Sequence, residues 1–191
     1  ARAIENSKRI RRWAREAAEY HEIPYEMLAV LLEQENGQNV SAFRRFAQGY
    51  ERFLQFSGAV IKDATGMPVP GAGGSTGIIN MLRSTFLETI SYTKEKYARP
   101  LLPVHKQDID SGFAGVDIEA DLYYGAAHIR QLIDDVVGNP CTKGEISLEQ
   151  VKKVFVRYNG TREDAKKYGD AATNKLLGAY KGTFTLHFYE K

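Results

Sequence analysis

A chain of 191 residues with 43% hydrophobic and 26% charged content is long enough for one domain with a sizeable core. The formal charge of +2 is small, compatible with an anionic polymer such as a cell wall without pointing to one. No apolar run is long enough to span a membrane, and the single cysteine, Cys141, excludes an internal disulfide framework and a cysteine-rich zinc site. The chain opens on Ala1 and carries no signal-peptide pattern, which suits a domain (residues 1–191) excised from a longer protein.

Residues 6–20 give the first helical pattern, with Ile10, Trp13, Ala14 and Ala17 on one stripe. Lys8, Arg9, Arg11, Arg12 and Arg15 crowd around that stripe. A solvated basic face explains them better than a nucleic-acid surface, because the rest of the chain is not strongly basic.

Residues 24–36 form the helix around which the chain is read as organised. Pro24 suits a first helical position, and Asn36-Gly37 suits the left-handed turn that closes a helix. Leu28, Leu31, Leu32 and Glu35 fall at i, i+3, i+4 and i+7 and share a face that is apolar up to its last member. A Glu ending a buried stripe is partly desolvated, which raises its pKa and suits it to general-acid work at neutral pH. The competing reading makes Glu35 an exposed residue of the last turn. Glu26 and Glu33 point to another, solvated face.

Phe43, Phe46, Ala47, Tyr50 and Leu54 continue with an aromatic helical stripe, whose default role is core packing and whose alternative is lining a sugar cleft. Residues 65–76, rich in Pro and Gly, read as a loop, with Ser75 or Thr76 available as a helix cap. No Gly-Lys-Ser/Thr ending comes after it, so the loop is not a phosphate loop. Ile78, Ile79, Leu82, Phe86 and Ile90 predict a helix running towards Tyr97, stopped by Pro100 and Pro103. Residues 99–117 read as an irregular connection. Asp108, Asp110 and Glu119 only loosely match calcium-loop spacing and are taken as loop charges.

A helix is predicted from Asp117, with Leu122, Gly125, Ala126, Ile129, Ile133 and Val136 on one face. There Gly125 and Ala126 permit close approach of another helix. It ends at Val137-Gly138-Asn139-Pro140. Ser147-Leu148-Glu149-Gln150 is a capping box before Val151, Val154, Phe155 and Tyr158, and this helix stops at Asn159-Gly160. Two more helices are expected near 161–168 and 171–181, and Phe184–Phe188 alternates like a strand. The fold class is therefore mainly α with little β structure.

Several of these stretches resemble, in order, the motifs of the lytic transglycosylase and goose-type lysozyme superfamily. Leu28–Gly37 is similar to the family helix that ends in the catalytic Glu and a small polar residue, with Asn36 in place of the usual Ser. Gly74–Leu82 resembles the Gly-rich turn into Gly-Leu-Met-Gln, with Asn80 at the Gln position. Asp117–Gly125 resembles the third motif with Asp121 replacing its Asn, and Arg157-Tyr158-Asn159-Gly160 resembles the Tyr-Asn motif. The resemblance covers about residues 8–168 and implies a single lysozyme-like helical domain with a substrate cleft. It implies peptidoglycan glycan strands as partner, cleaved at the β-1,4 link from N-acetylmuramic acid to N-acetylglucosamine, and it implies no cofactor and no metal. Glu35 is then the catalytic acid, with Asn80, Tyr158 and Asn159 binding substrate. In the family that Tyr commonly hydrogen-bonds near the Glu, so Tyr158→Phe is expected to slow turnover at little cost in stability.

The bond sets the rest of the chemistry. An inverting hydrolase needs a second carboxylate about 6.5–9.5 Å from the first, and a retaining one needs it at about 5–5.5 Å. A lytic transglycosylase needs none, because the substrate's own 6-hydroxyl closes an anhydro ring. Asp63, Glu88, Asp108, Asp110 and Asp117 are the possible second acids. Hydrolysis by a muramidase is the first expectation, with transglycosylation and a non-catalytic glycan-binding module as alternatives, and chitin or chitosan cleavage as a further one. Action is expected in the periplasm or cell wall, after delivery by a secretion system, by phage or as part of a larger protein.

Overall fold

Helix α4, Ile118–Val137, lies at the centre of the molecule. The structure is a computed structural model that describes residues 2–36, 78–110, 112, 115–138, 145–160, 163–179 and 185–187. The expected aromatic helix at 43–54, the Pro/Gly loop at 65–76 with its caps Ser75 and Thr76, and Asp63 lie outside these residues. α4 comes after α1 (Arg2–Tyr20), α2 (Tyr25–Asn36), α3 (Arg83–Tyr97) and a 3₁₀ helix at Val104–Ile109. After it come β1 (Glu145–Ser147), α5 (Leu148–Tyr158), α6 (Glu163–Ala179) and β2 (Thr185–His187). The molecule is mainly helical, as expected.

Fourteen residues of α4 are buried, including Leu122, Tyr123, Tyr124, Ile129 and Ile133 from all sides of the helix. A helix apolar all round must be enclosed, and α1, α3 and α5 pack against it. α2, read from sequence as the organising helix, instead sits to one side, against α1 and α6. Asp117 caps α4 by accepting from Ala120 N at 3.0 Å, and Gly138 closes it in the left-handed conformation, φ 89°.

Four sequence expectations are corrected. Ile78–Asn80 form a turn rather than the start of a helix, and α3 begins only at Arg83. The residues 99–117 contain a 3₁₀ helix. The close neighbour of Gly125 is that turn, not a helix: a Cβ there would sit 2.7 Å from Ile79 Cγ2. The expected helices near 161–168 and 171–181 are one continuous α6. Gly169 lies within it because α5 comes so near that a Cβ would stand 2.3 Å from Val156 Cγ2.

Two local devices fix the approach to α2 and α5. Glu22 takes φ 55°, and Ile23 N donates to Ala18 O at 2.9 Å while Glu22 N donates to Glu19 O at 3.1 Å, a paired closure of α1. Ser147 and Gln150 make both bonds of the capping box. β1 and β2 pair antiparallel, Ile146 opposite Leu186.

One buried ion pair ties the helices together. Arg130 Nη2 donates to Asp134 at 2.7 Å, Arg130 Nη1 donates to Glu22 O at 2.9 Å, and Arg130 Nε donates to the Tyr97 hydroxyl at 2.9 Å. Tyr92 and Tyr97 both donate to Asp134. Because these buried charges are matched and hydrogen-bonded, removing one partner costs about 3–5 kcal/mol.

Candidate active site

α2 brings Glu35 to its last turn with only 9% of its surface exposed, behind buried Leu28 and Leu31. Glu35 is therefore not the exposed last-turn residue of the competing reading. Glu33 is exposed, as the stripe predicts.

Opposite stands the turn at 78–80, held by core groups. The Tyr158 hydroxyl donates to Ile79 O at 2.6 Å. The buried carboxylate of Asp121 accepts from Ile78 N at 3.2 Å and from Gly115 N at 2.6 Å. Asp121 thus takes up two loop amides at the start of α4, an acceptor role that a carboxylate fills. Asn80 has φ 52°, a backbone state that Asn tolerates better than longer side chains, which accounts physically for Asn rather than Gln here.

These elements enclose a pocket of about 200 Å³. Glu35 enters from α2, Asn80, Met81 and Leu82 from the turn and the two residues after it, and Thr85 from α3. His128 enters from α4, with Tyr158 and Asn159 from the end of α5. All four residues singled out from the sequence, Glu35, Asn80, Tyr158 and Asn159, line it. No family model, curated protein or solved structure matches the chain.

Among the residues at the site that the sequence did not single out, two have marked polar contacts. The first is Tyr168 on α6, whose hydroxyl donates to Oε1 of Glu35. The Tyr-Asn motif pointed to Tyr158 for a hydrogen bond near the Glu, and the Tyr158 hydroxyl donates to Ile79 O of the pocket wall, where the charge of Glu35 reaches it. Burial and the Glu35 carboxylate push the Tyr168 phenol well above its ordinary pKa, so it stays a donor. Burial, then the charges of Glu35 and Asp121, do the same to Tyr158. The second missed residue is His128, half-buried, with its ring 5.5 Å from that of Tyr158. Burial pushes the His128 imidazole down to about 4, so it is neutral at pH 7. Nothing in a lone His within the apolar pattern of α4 marks it as facing a pocket.

Among the described lining residues Glu35 is the single carboxylate, and no Lys or Arg joins it. Of the possible second acids, Glu88 accepts from Gln131, Asp110 accepts from Tyr124, Asp117 caps α4 and Asp108 is exposed. Among the described residues no cluster of His, Cys, Asp and Glu could hold a metal ion, and none of their helices is long and apolar enough to cross a membrane. A pocket with one carboxyl group, two amides, an imidazole and apolar side chains can hydrogen-bond a neutral polyhydroxylated ligand and deliver one proton to it.

Proposed function

We propose that this chain is a lysozyme-like domain that cleaves the β-1,4 link between N-acetylmuramic acid and N-acetylglucosamine in peptidoglycan, with the pocket forming part of its cleft. One observation carries the reading. Glu35, Asn80, Tyr158 and Asn159 come from three separate stretches picked out by their likeness to catalytic-domain motifs, and they line a single pocket. Protonated Glu35 gives its proton to the glycosidic oxygen as the C1–O bond breaks, and positive charge develops on the sugar ring. Burial favours the protonated acid. Asn80 and Asn159 offer amides to the sugar, and the lining adds no cation beside the developing charge.

Water attack at C1 gives a reducing end, and closure by the 6-hydroxyl gives a 1,6-anhydro end. The second outcome is favoured by one observation: Glu35 is the pocket's single carboxylate among the described residues, and cyclisation can use one group first as acid and then as base. The site of action is then the bacterial cell wall, reached through a secretion system, a phage or a larger parent protein.

Mass spectrometry of the products from purified peptidoglycan tests this. Cleavage at the muramic acid link is expected, with reducing ends for a muramidase and anhydro ends for a transglycosylase. Glu35→Gln should lower the rate by about 10²–10⁴-fold while leaving the folded protein intact, and Glu33→Gln should not. Glycan binding without cleavage by the wild-type protein would replace the enzyme with a binding module. A folded Glu35→Gln protein of normal activity would remove Glu35 from the mechanism.

A further inference from the structure

A chain of hydrogen bonds runs from an exposed carboxylate to the pocket. Gln131 Nε2 donates to Glu88 Oε1 at 2.9 Å. An ionised carboxylate only accepts, so it holds the Gln131 amide with its nitrogen towards Glu88 and its oxygen inward. That oxygen, Oε1, takes the Thr89 hydroxyl proton across 3.2 Å. Thr89 is buried and has one proton to give. Its oxygen lies 3.3 Å from His128 Nδ1, and with its proton already donated it can only accept there. Nδ1 therefore carries the imidazole proton, and Nε2 carries a lone pair.

Thr89 meets the ring at Nδ1, and Gln131 is its other side-chain hydrogen-bond partner among the described residues. The ring itself lines the pocket. Burial keeps it neutral at pH 7, so the lone pair is available.

We propose that His128 presents Nε2 to the pocket as a hydrogen-bond acceptor for an N–H or O–H group of a neutral amido sugar, with its tautomer set from the surface by Glu88 through Gln131 and Thr89. The ligand class rests on the glycan reading above, whereas the tautomer does not. Asn80 and Asn159 bring to the same pocket amides that can both donate and accept, and Glu35 brings its carboxyl group. A neutral acceptor at Nε2 selects for a ligand group that can donate there. An analogue without the donor leaves the imidazole lone pair unmatched.

The test uses the full chain with ¹⁵N-labelled histidine rings and long-range proton–nitrogen NMR at pH 7, with His128 assigned by comparison with His128→Asn. In the free protein the proton is expected on Nδ1. Glu88→Lys replaces an acceptor by a donor at an exposed position. It should turn the Gln131 amide, make Thr89 a donor to Nδ1 and move the proton to Nε2. Adding tri-N-acetylchitotriose should shift the wild-type Nε2 resonance. His128→Gln, which places an amide oxygen near the Nε2 position, should bind the trimer better than His128→Asn, which ends short of it, by about tenfold.

A proton on Nε2 in the wild-type protein overturns the proposal. So do an Nε2 resonance unmoved by bound trimer and equal affinities for the two variants. Should His128→Asn not fold, selective labelling and the Glu88→Lys comparison still decide the tautomer. A wild-type protein that binds no trimer removes the sugar assigned to His128 together with the glycan reading, and the tautomer result stands apart from both.

Discussion

The Tyr168 hydroxyl donates to Glu35 across 133 positions of sequence, joining the last turn of α2 to the middle of α6. Two influences meet on that carboxyl group. Burial behind Leu28 and Leu31 disfavours its charge, and a donated phenol proton stabilises the charge. Tyr168→Phe removes the second influence alone. On the proposed mechanism the acid form then persists to higher pH, and the basic limb of the activity profile moves to higher pH. Leu31→Asn should move it the other way by admitting polarity. Initial rates of peptidoglycan cleavage against pH check both, and a limb that stays fixed in Tyr168→Phe shows that Glu35 is not the titrating group or that the hydroxyl does not tune it.

Tyr158→Phe keeps the ring against His128 but strips Ile79 O of its donor. The little stability loss expected from the motif is therefore revised to about 1–3 kcal/mol, the cost of leaving such a carbonyl unsatisfied. Urea denaturation reads it as a lower midpoint at unchanged slope. Asn159 is exposed at the end of the same helix, so Asn159→Ala should weaken glycan turnover without that stability loss.

Gly169→Ala should be the most damaging single methyl in the molecule's α5–α6 contact. The added Cβ meets Val156 Cγ2 at 2.3 Å and Val156 N at 3.2 Å, and the backbone atom cannot turn away. A loss of about 3 kcal/mol is expected, at the upper end of overpacking costs. Thermal melts check it, and a gain in melting temperature from better helix propensity would show that the two helices separate easily.

His21 is buried against Leu101 O at 2.8 Å, and burial pushes its imidazole down from 6.5 to about 3. The unfolded chain binds this proton first as pH falls, so stability is full above pH 6.5 and is lost progressively towards pH 3. At pH 5 this one group should lower stability by about 2 kcal/mol relative to neutral pH. His21→Gln should flatten that dependence, which denaturant midpoints at the two pH values measure. An unchanged slope would assign the acid sensitivity elsewhere.

Much of the helical pattern was legible because it rests on local rules. The apolar spacing of α2 and the Ser147–Gln150 box are set by neighbours a turn or two away. What was not legible depends on partners far along the chain. Residues 161–181 read as two helices until Val156 is known to lie against Gly169, and Ile78-Ile79 read as helix until Asp121 and Tyr158 take their amide and carbonyl. In the candidate site, the four residues carried by motifs line one pocket, whereas Tyr168 and His128 join it through distant contacts that no spacing records.

The turn at 78–80 has a consequence for how the molecule opens. Its amide at Ile78 belongs to Asp121, its carbonyl at Ile79 belongs to Tyr158, and the Ile79 side chain fills the notch above Gly125. Displacing Ile78 and Ile79 would break both bonds and uncover Gly125 of the central helix. Its hydrogen exchange should track that of α4 rather than that of a surface loop, so this side of the pocket would lose its shape only when the domain as a whole unfolds.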